Sequence, residues 1–154
     1  MINRIVSGGQ TGVDRAGLDV ALELGIEHGG WCPQGRLAED GMVPEVYQLN
    51  ETFEKDYAAR TEKNVIESDG TLIFYRAPIS GGTQLTESFA KKHGRPCLLV
   101  EVDEPVGFGV FFEWQKENCV FTLNVAGPRE SSHPDIYVIS RELLGNWLRE
   151  LAQY

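Results

Sequence analysis

Residues 7–17, Ser-Gly-Gly-Gln-Thr-Gly-Val-Asp-Arg-Ala-Gly, follow a short apolar run, Ile-Asn-Arg-Ile-Val. Gly8, Gly9 and Gly12 leave backbone N–H groups uncovered at the mouth of a helix, and such groups attract anions. The same glycines also suit a tight strand-to-helix turn with no ligand. Three further stretches have a similar make-up: Gly-Gly-Trp-Cys-Pro-Gln-Gly-Arg at 29–36, Arg-Ala-Pro-Ile-Ser-Gly-Gly-Thr at 76–83, and Gly-Pro-Arg-Glu-Ser at 127–131. Each combines Gly or Pro with hydroxyl or amide residues, and Arg15, Arg36, Arg76 and Arg129 lie in or beside them. Guanidinium groups next to free backbone amides suit a small phosphate-bearing ligand.

Two common phosphate motifs are ruled out. A P-loop needs Lys after its second glycine, and Val13 follows Gly12. The dinucleotide pattern GxGxxG does not fit glycines at 8, 9 and 12. Single side chains have two readings each. Trp31 either covers a core edge or stacks on a planar pterin or purine ring. Arg15 and Arg36 either hold an anion or sit in solvent. Ser80, Gly81, Gly82 and Thr83 open a helix, with Thr83 either an N-cap or part of a second anion site. Asp14 in the first helical turn favours the macrodipole whatever the function. Arg129, at a strand exit, is the arginine best placed for a ligand.

The elements that position these loops come from hydrophobic periodicity. Near-continuous apolar runs at 2–6, 70–75, 96–102 and 120–126 read as strands buried on both faces, with weaker strands near 26–30 and at 136–139. Val13, Ala16, Gly17, Val20, Ala21 and Leu24 form an amphipathic helical stripe that Gly25 ends. Further helices are expected at about 53–67, 84–93 and 108–117, and a last one N-capped by Ser140. This alternation argues an α/β fold with a mostly parallel central sheet between helices. Ligands of such sheets bind beyond the carboxyl ends of the strands, which is where these loops fall. Residues 31–52 have no clear period and read as a long functional loop.

Bulk properties narrow the classes further. The 154 residues suit one domain, 1–154, and carry a net charge of −9 from 23 acidic and 14 basic side chains. That balance disfavours a nucleic-acid partner and favours a soluble cytoplasmic protein. No membrane segment or signal peptide is evident. Cys32, Cys97 and Cys119 and the three histidines, His28, His93 and His133, have no metal-ligand or disulfide spacing, so no structural metal is expected.

The stretches SGGQTGVDRAGLD, GWCPQGR, SGGT and NVAGPRES, in this order, resemble the molybdenum carrier family over essentially the whole chain. The resemblance implies a Rossmann-like three-layer sandwich and a binding protein for a phosphate-bearing cofactor, the molybdenum cofactor (molybdopterin) or a nucleotide-like relative. It implies a site built from Gly8, Gly9, Thr11 and Gly12, from Ser80–Thr83, and from Gly127, Arg129 and Ser131. It also implies a homo-oligomer. A more remote similarity, to the lysine-decarboxylase-like nucleotide phosphoribohydrolases, rests on Arg60 nine residues before Asp69, then a strand, glycines and Glu87. It implies, for an enzyme cleaving an N-glycosidic bond, Arg60 on phosphate and Glu87 near the ribose. Here five extra residues precede the glycines, Ser80 replaces Pro, and one glycine is missing. A nucleotide sensor without chemistry would use the same loops.

Overall fold

The computed structural model describes residues 1–154. Five strands form one sheet: β1 (Arg4–Val6), β2 (Glu27–Gly29), β7 (Gly70–Tyr75), β8 (Cys97–Glu101) and β9 (Thr122–Ala126). Their order is β2-β1-β9-β7-β8, and every pairing is parallel. Helices α1 (Val13–Leu24) and α5 (Ile136–Leu151) pack together on one side, with α4 (Phe108–Glu117) against α5. Helices α2 (Tyr57–Ile66) and α3 (Gly81–Lys92) pack together on the other. The fold is an α/β Rossmann-like three-layer sandwich.

Strand alternation divides the sheet's residues between the two layers. Ile5, Leu72, Phe74, Leu123 and Val125 join Val13, Val20, Phe111, Ile136, Leu144 and Trp147 in the main core. The Phe111 and Trp147 rings stack there at 5.1 Å. The opposite face is more polar: Asn124 donates from Nδ2 to Thr71 Oγ1 at 3.1 Å, both buried. That polar floor lies under the ligand side of the sheet rather than under the core.

The topology gathers the loops. The chain leaves β1 through α1 toward β2 at one edge, and leaves β7 through α3 toward β8 at the other. β9 then enters between β1 and β7. The exits of three adjacent strands, residues 7–12, 76–80 and 127–135, therefore share one rim, at the point where the winding direction changes.

Four sequence expectations need correction. Residues 136–139 are the first turn of α5, not a strand. The Glu130 carboxylate accepts the N–H groups of Asp135 at 2.8 Å and Tyr137 at 3.0 Å, and so caps a helix that β-branched residues alone do not favour. Ser140 is consequently a buried mid-helix residue, not an N-cap. Helix α2 starts at Tyr57, where Asp56 caps the Ala59 N–H at 2.9 Å. Helix α3 starts at Gly81 with Ser80 as its N-cap residue, so Thr83 lies inside the helix.

Residues 31–52 are ordered by short pairings: β3 (Trp31–Cys32) with β6 (Asn50–Glu51), and the hairpin of β4 (Leu37–Ala38) and β5 (Gly41–Met42). They fold over a second small core of Leu18, Cys32, Val43, Tyr47 and Leu49. No helix is long and apolar enough to cross a membrane.

Candidate functional site

A cavity of about 520 Å³ opens at this rim, in the range of small-molecule sites. Its walls come from all three strand exits and from α2. Of the residues singled out in the sequence, Gly8, Arg60, Ser80, Gly81, Gly82, Thr83, Gly127, Arg129 and Ser131 line it. The N-terminus of α3 opens into it without any side-chain cap, so its first amides and the positive end of the helix dipole are free for an anion.

Arg60 is a cavity cation held in a largely buried ion pair. Its Nη1 donates to Asp14 Oδ2 at 2.9 Å, with the two side chains 12% and 5% exposed. The same Asp14 oxygen accepts the Gln10 N–H at 3.2 Å. Burial pushes the Asp14 carboxyl above its usual range, and Arg60 pulls against that shift. Gly8 makes room for the guanidinium: a Cβ there would lie 1.3 Å from Arg60 Nη1. Arg60 Nε and Gln10 Nε2 are buried with no hydrogen-bond partner, although such groups are normally satisfied. Both residues are among those that line the cavity, while these two atoms are closed to it.

The other predicted residues hold the loops in place. Gly12, at φ 82°, brings the first loop against the fourth: a Cβ there would lie 2.4 Å from the Pro128 carbonyl, and Val13 N–H donates to that carbonyl at 3.3 Å. Thr11 donates its hydroxyl to Glu39 and accepts the Glu130 N–H at 3.2 Å. Glu39 also accepts from the Ser131 hydroxyl and from the Ser131 N–H at 3.2 Å, joining both loops to residues 31–52. Burial works against ionisation of Glu39, but the Ser131 and Thr11 hydrogen bonds outweigh it and hold the carboxyl below its usual range.

Seven assignments lie outside the cavity: Gly9, Thr11, Gly12, Arg15, Trp31, Arg36 and Glu87. Arg15 donates to the Gly9 carbonyl at 3.1 Å and forms a two-pronged pair with Asp40, one contact at 2.7 Å. Arg36 spends its guanidinium on four backbone carbonyls, those of Val43, Pro44, Tyr47 and Leu49, at 2.7–3.4 Å. Trp31 donates its indole N–H to Glu67 and carries Lys63 Nζ 4.3 Å above its ring, beside a separate small pocket. Glu87 faces Lys91 at 4.0 Å on α3. Gly9 packs under Val43 and Leu49. Cys32 is fully buried in the small core, where burial raises its thiol.

Sequence reading missed Tyr57, which gives the cavity an aromatic wall. The guanidinium carbons of Arg60 and Arg129 lie 5.4 and 5.7 Å from its ring centroid. It also missed Asp14 as the partner of Arg60, since 46 residues separate them.

Residues 5–148 match the model of the Circularly permutated YpsA SLOG family. The structure is similar to a crystal structure of a putative molybdenum carrier protein from Syntrophus aciditrophicus SB. The TM-score is 0.90 and the identity 46%, over 96% of this chain and 95% of that one. No curated protein matches.

Two outcomes follow from this geometry. Gly8→Ala and Arg60→Ala each leave Asp14 buried and unpaired, which costs about 3 kcal/mol in chemical denaturation. Adding Asp14→Asn to either recovers most of that loss; no recovery would show that the pair does not carry the effect. For Glu39, a lowered folded-state pKa means stability that is present above the ordinary carboxylate value and lost as pH falls through the folded one. The stability difference between wild type and Glu39→Gln is therefore full at pH 7 and disappears in acid, as thermal melts across pH will read.

Proposed function

This chain belongs to the Circularly permutated YpsA SLOG family, and from that premise and the cavity's chemistry we propose that it binds and carries a phosphate-bearing cofactor, the molybdenum cofactor (molybdopterin) or a nucleotide-like relative. The observation that carries the reading is one cavity lined by Arg60, Arg76, Arg129 and the uncapped start of α3. These donors suit phosphate oxygens, and they collect at one rim of a chain whose net charge is −9. The likeness to the Syntrophus protein named as a molybdenum carrier supports the choice of cargo.

The residues present fit the organic part of such a cofactor. Arg60, Arg129 and the backbone of Gly81–Thr83 hold the phosphate. Tyr57, Pro78, Ile79 and Leu85 supply apolar wall for a planar ring, and Tyr57 takes the part first assigned to Trp31. No three His, Cys, Asp or Glu side chains are grouped to hold a metal ion, so the grip falls on phosphate and ring. The fit is one of preorganised binding: Asp14 and Gly8 fix Arg60 before any ligand arrives, which lowers the ordering cost.

Binding is favoured over N-glycosidic hydrolysis by the position of the acids. Arg60 lines the cavity, but Glu87 does not, and the one carboxylate in the lining, Asp14, is already paired. The carboxylate that the remote similarity implies beside the ribose is therefore not in the lining.

Freshly purified protein is expected to contain molybdenum by elemental analysis together with pterin fluorescence. Arg129→Ala lowers affinity for a phosphorylated pterin about tenfold while leaving its dephosphorylated form unchanged, by calorimetry, the scale of one charge-assisted hydrogen bond. Equal loss for both forms would contradict the phosphate role, and release of free base from AMP would favour the enzyme.

A further inference from the structure

The charge balance of the cavity limits which phosphate groups it can take, an inference that rests on the phosphate-binding reading above. Three arginines line the cavity, Arg60, Arg76 and Arg129. Two of them are already compensated. Arg60 is held by Asp14, with both side chains nearly buried. Arg76 donates from Nε to Asp103 at 3.3 Å and from Nη1 to the Pro134 carbonyl at 2.8 Å. Arg129 has no carboxylate partner and rests against the Tyr57 ring.

Arg129 therefore supplies at most one net positive charge, which Glu39 offsets in part from beyond contact distance, together with the helix terminus of α3, worth about half a charge. A phosphate monoester carries about −1.5 to −2 at pH 7, close to that sum. A terminal diphosphate, unlike one esterified at both ends, brings further negative charge, and the lining holds no other lysine or arginine to receive it. The surrounding protein is acidic and adds repulsion. The compensated arginines also have fewer free donors: Arg60 has committed Nη1, and Arg76 has committed Nε and Nη1.

We propose that Asp14 and Asp103 are specificity-determining residues, which neutralise two of the three cavity arginines and so restrict the site to ligands ending in a single phosphate monoester, excluding those that end in a terminal diphosphate. The two carboxylates differ in how they act. Asp14 is buried behind Arg60 and also orients it, whereas Asp103 stands outside the cavity, 59% exposed, and touches only Arg76. Asp103 can therefore be altered with little risk to the fold.

The test is calorimetric titration of the whole protein with inorganic phosphate and with pyrophosphate, in chelator and at low ionic strength. Wild type is expected to bind pyrophosphate no more tightly than phosphate. Asp103→Asn shifts that ratio toward pyrophosphate about fivefold, the scale of one charge contact near water. The shift shrinks in high salt, because the contact is solvent-accessible. Asp14→Asn, where it folds, shifts the ratio in the same direction. A wild-type preference for pyrophosphate, or an unchanged ratio in Asp103→Asn, overturns the inference and leaves phosphate binding intact. If wild type binds neither anion, the phosphate-binding reading falls and takes this inference with it.

Discussion

The site depends on one buried ion pair, Asp14 with Arg60, seated in the space that a side chain at residue 8 would fill. Two charges in a low-dielectric setting are costly to bury, and the contact between them offsets that cost only when the geometry is good. Here the geometry is supplied from three directions. The first turn of α1 presents Asp14, α2 presents Arg60, and the β1 exit contributes Gly8 and the Gln10 amide. The pair fixes a guanidinium at the cavity wall and leaves Nε without a partner. Stability alone would be served as well by an apolar pair of similar volume, so a guanidinium kept at the cavity wall points to binding.

Residues 31–52 act as a buckle around this arrangement. Arg36 gathers the carbonyls of its own turn, Arg15 grips Asp40, and Glu39 closes over Thr11 and Ser131. Of three groups that look like ligand contacts, Arg15 and Thr11 thus tie the strand exits to this segment, and Arg36 shapes the segment itself. The acidic residues of this segment have a matching use, for both Glu39 and Asp40 are held below their usual carboxyl ranges by the groups they bind. Function and fold are hard to separate here, since the loop contacts that shape the cavity are also those that close the domain's rim.

Much of the fold was legible because the buried strands are apolar runs and α1 carries a clean stripe ending in Gly25, which does adopt the left-handed C-cap. The start of α5 was not, since Ile136–Ile139 has strand composition and its helical cap comes from Glu130, outside the run. Of the four glycine-rich and hydroxyl-rich stretches, those at 7–12, 76–83 and 127–131 meet at the cavity, while the one at 29–36 does not line it. The roles of individual arginines were not readable, because a guanidinium beside a turn serves anions and backbone carbonyls equally well. Arg36 found carbonyls within its own segment, while Arg60, on a helix face with no turn signature, found the cavity. Pairings across 46 residues, such as Asp14 with Arg60, leave no local trace in a single sequence.

The most direct measurement follows the arginine side-chain Nε–H signals by NMR while inorganic phosphate is added. The account predicts saturable shifts at Arg60 and Arg129 and still signals at Arg15 and Arg36. Movement at Arg15 or Arg36 with Arg60 unchanged would contradict it.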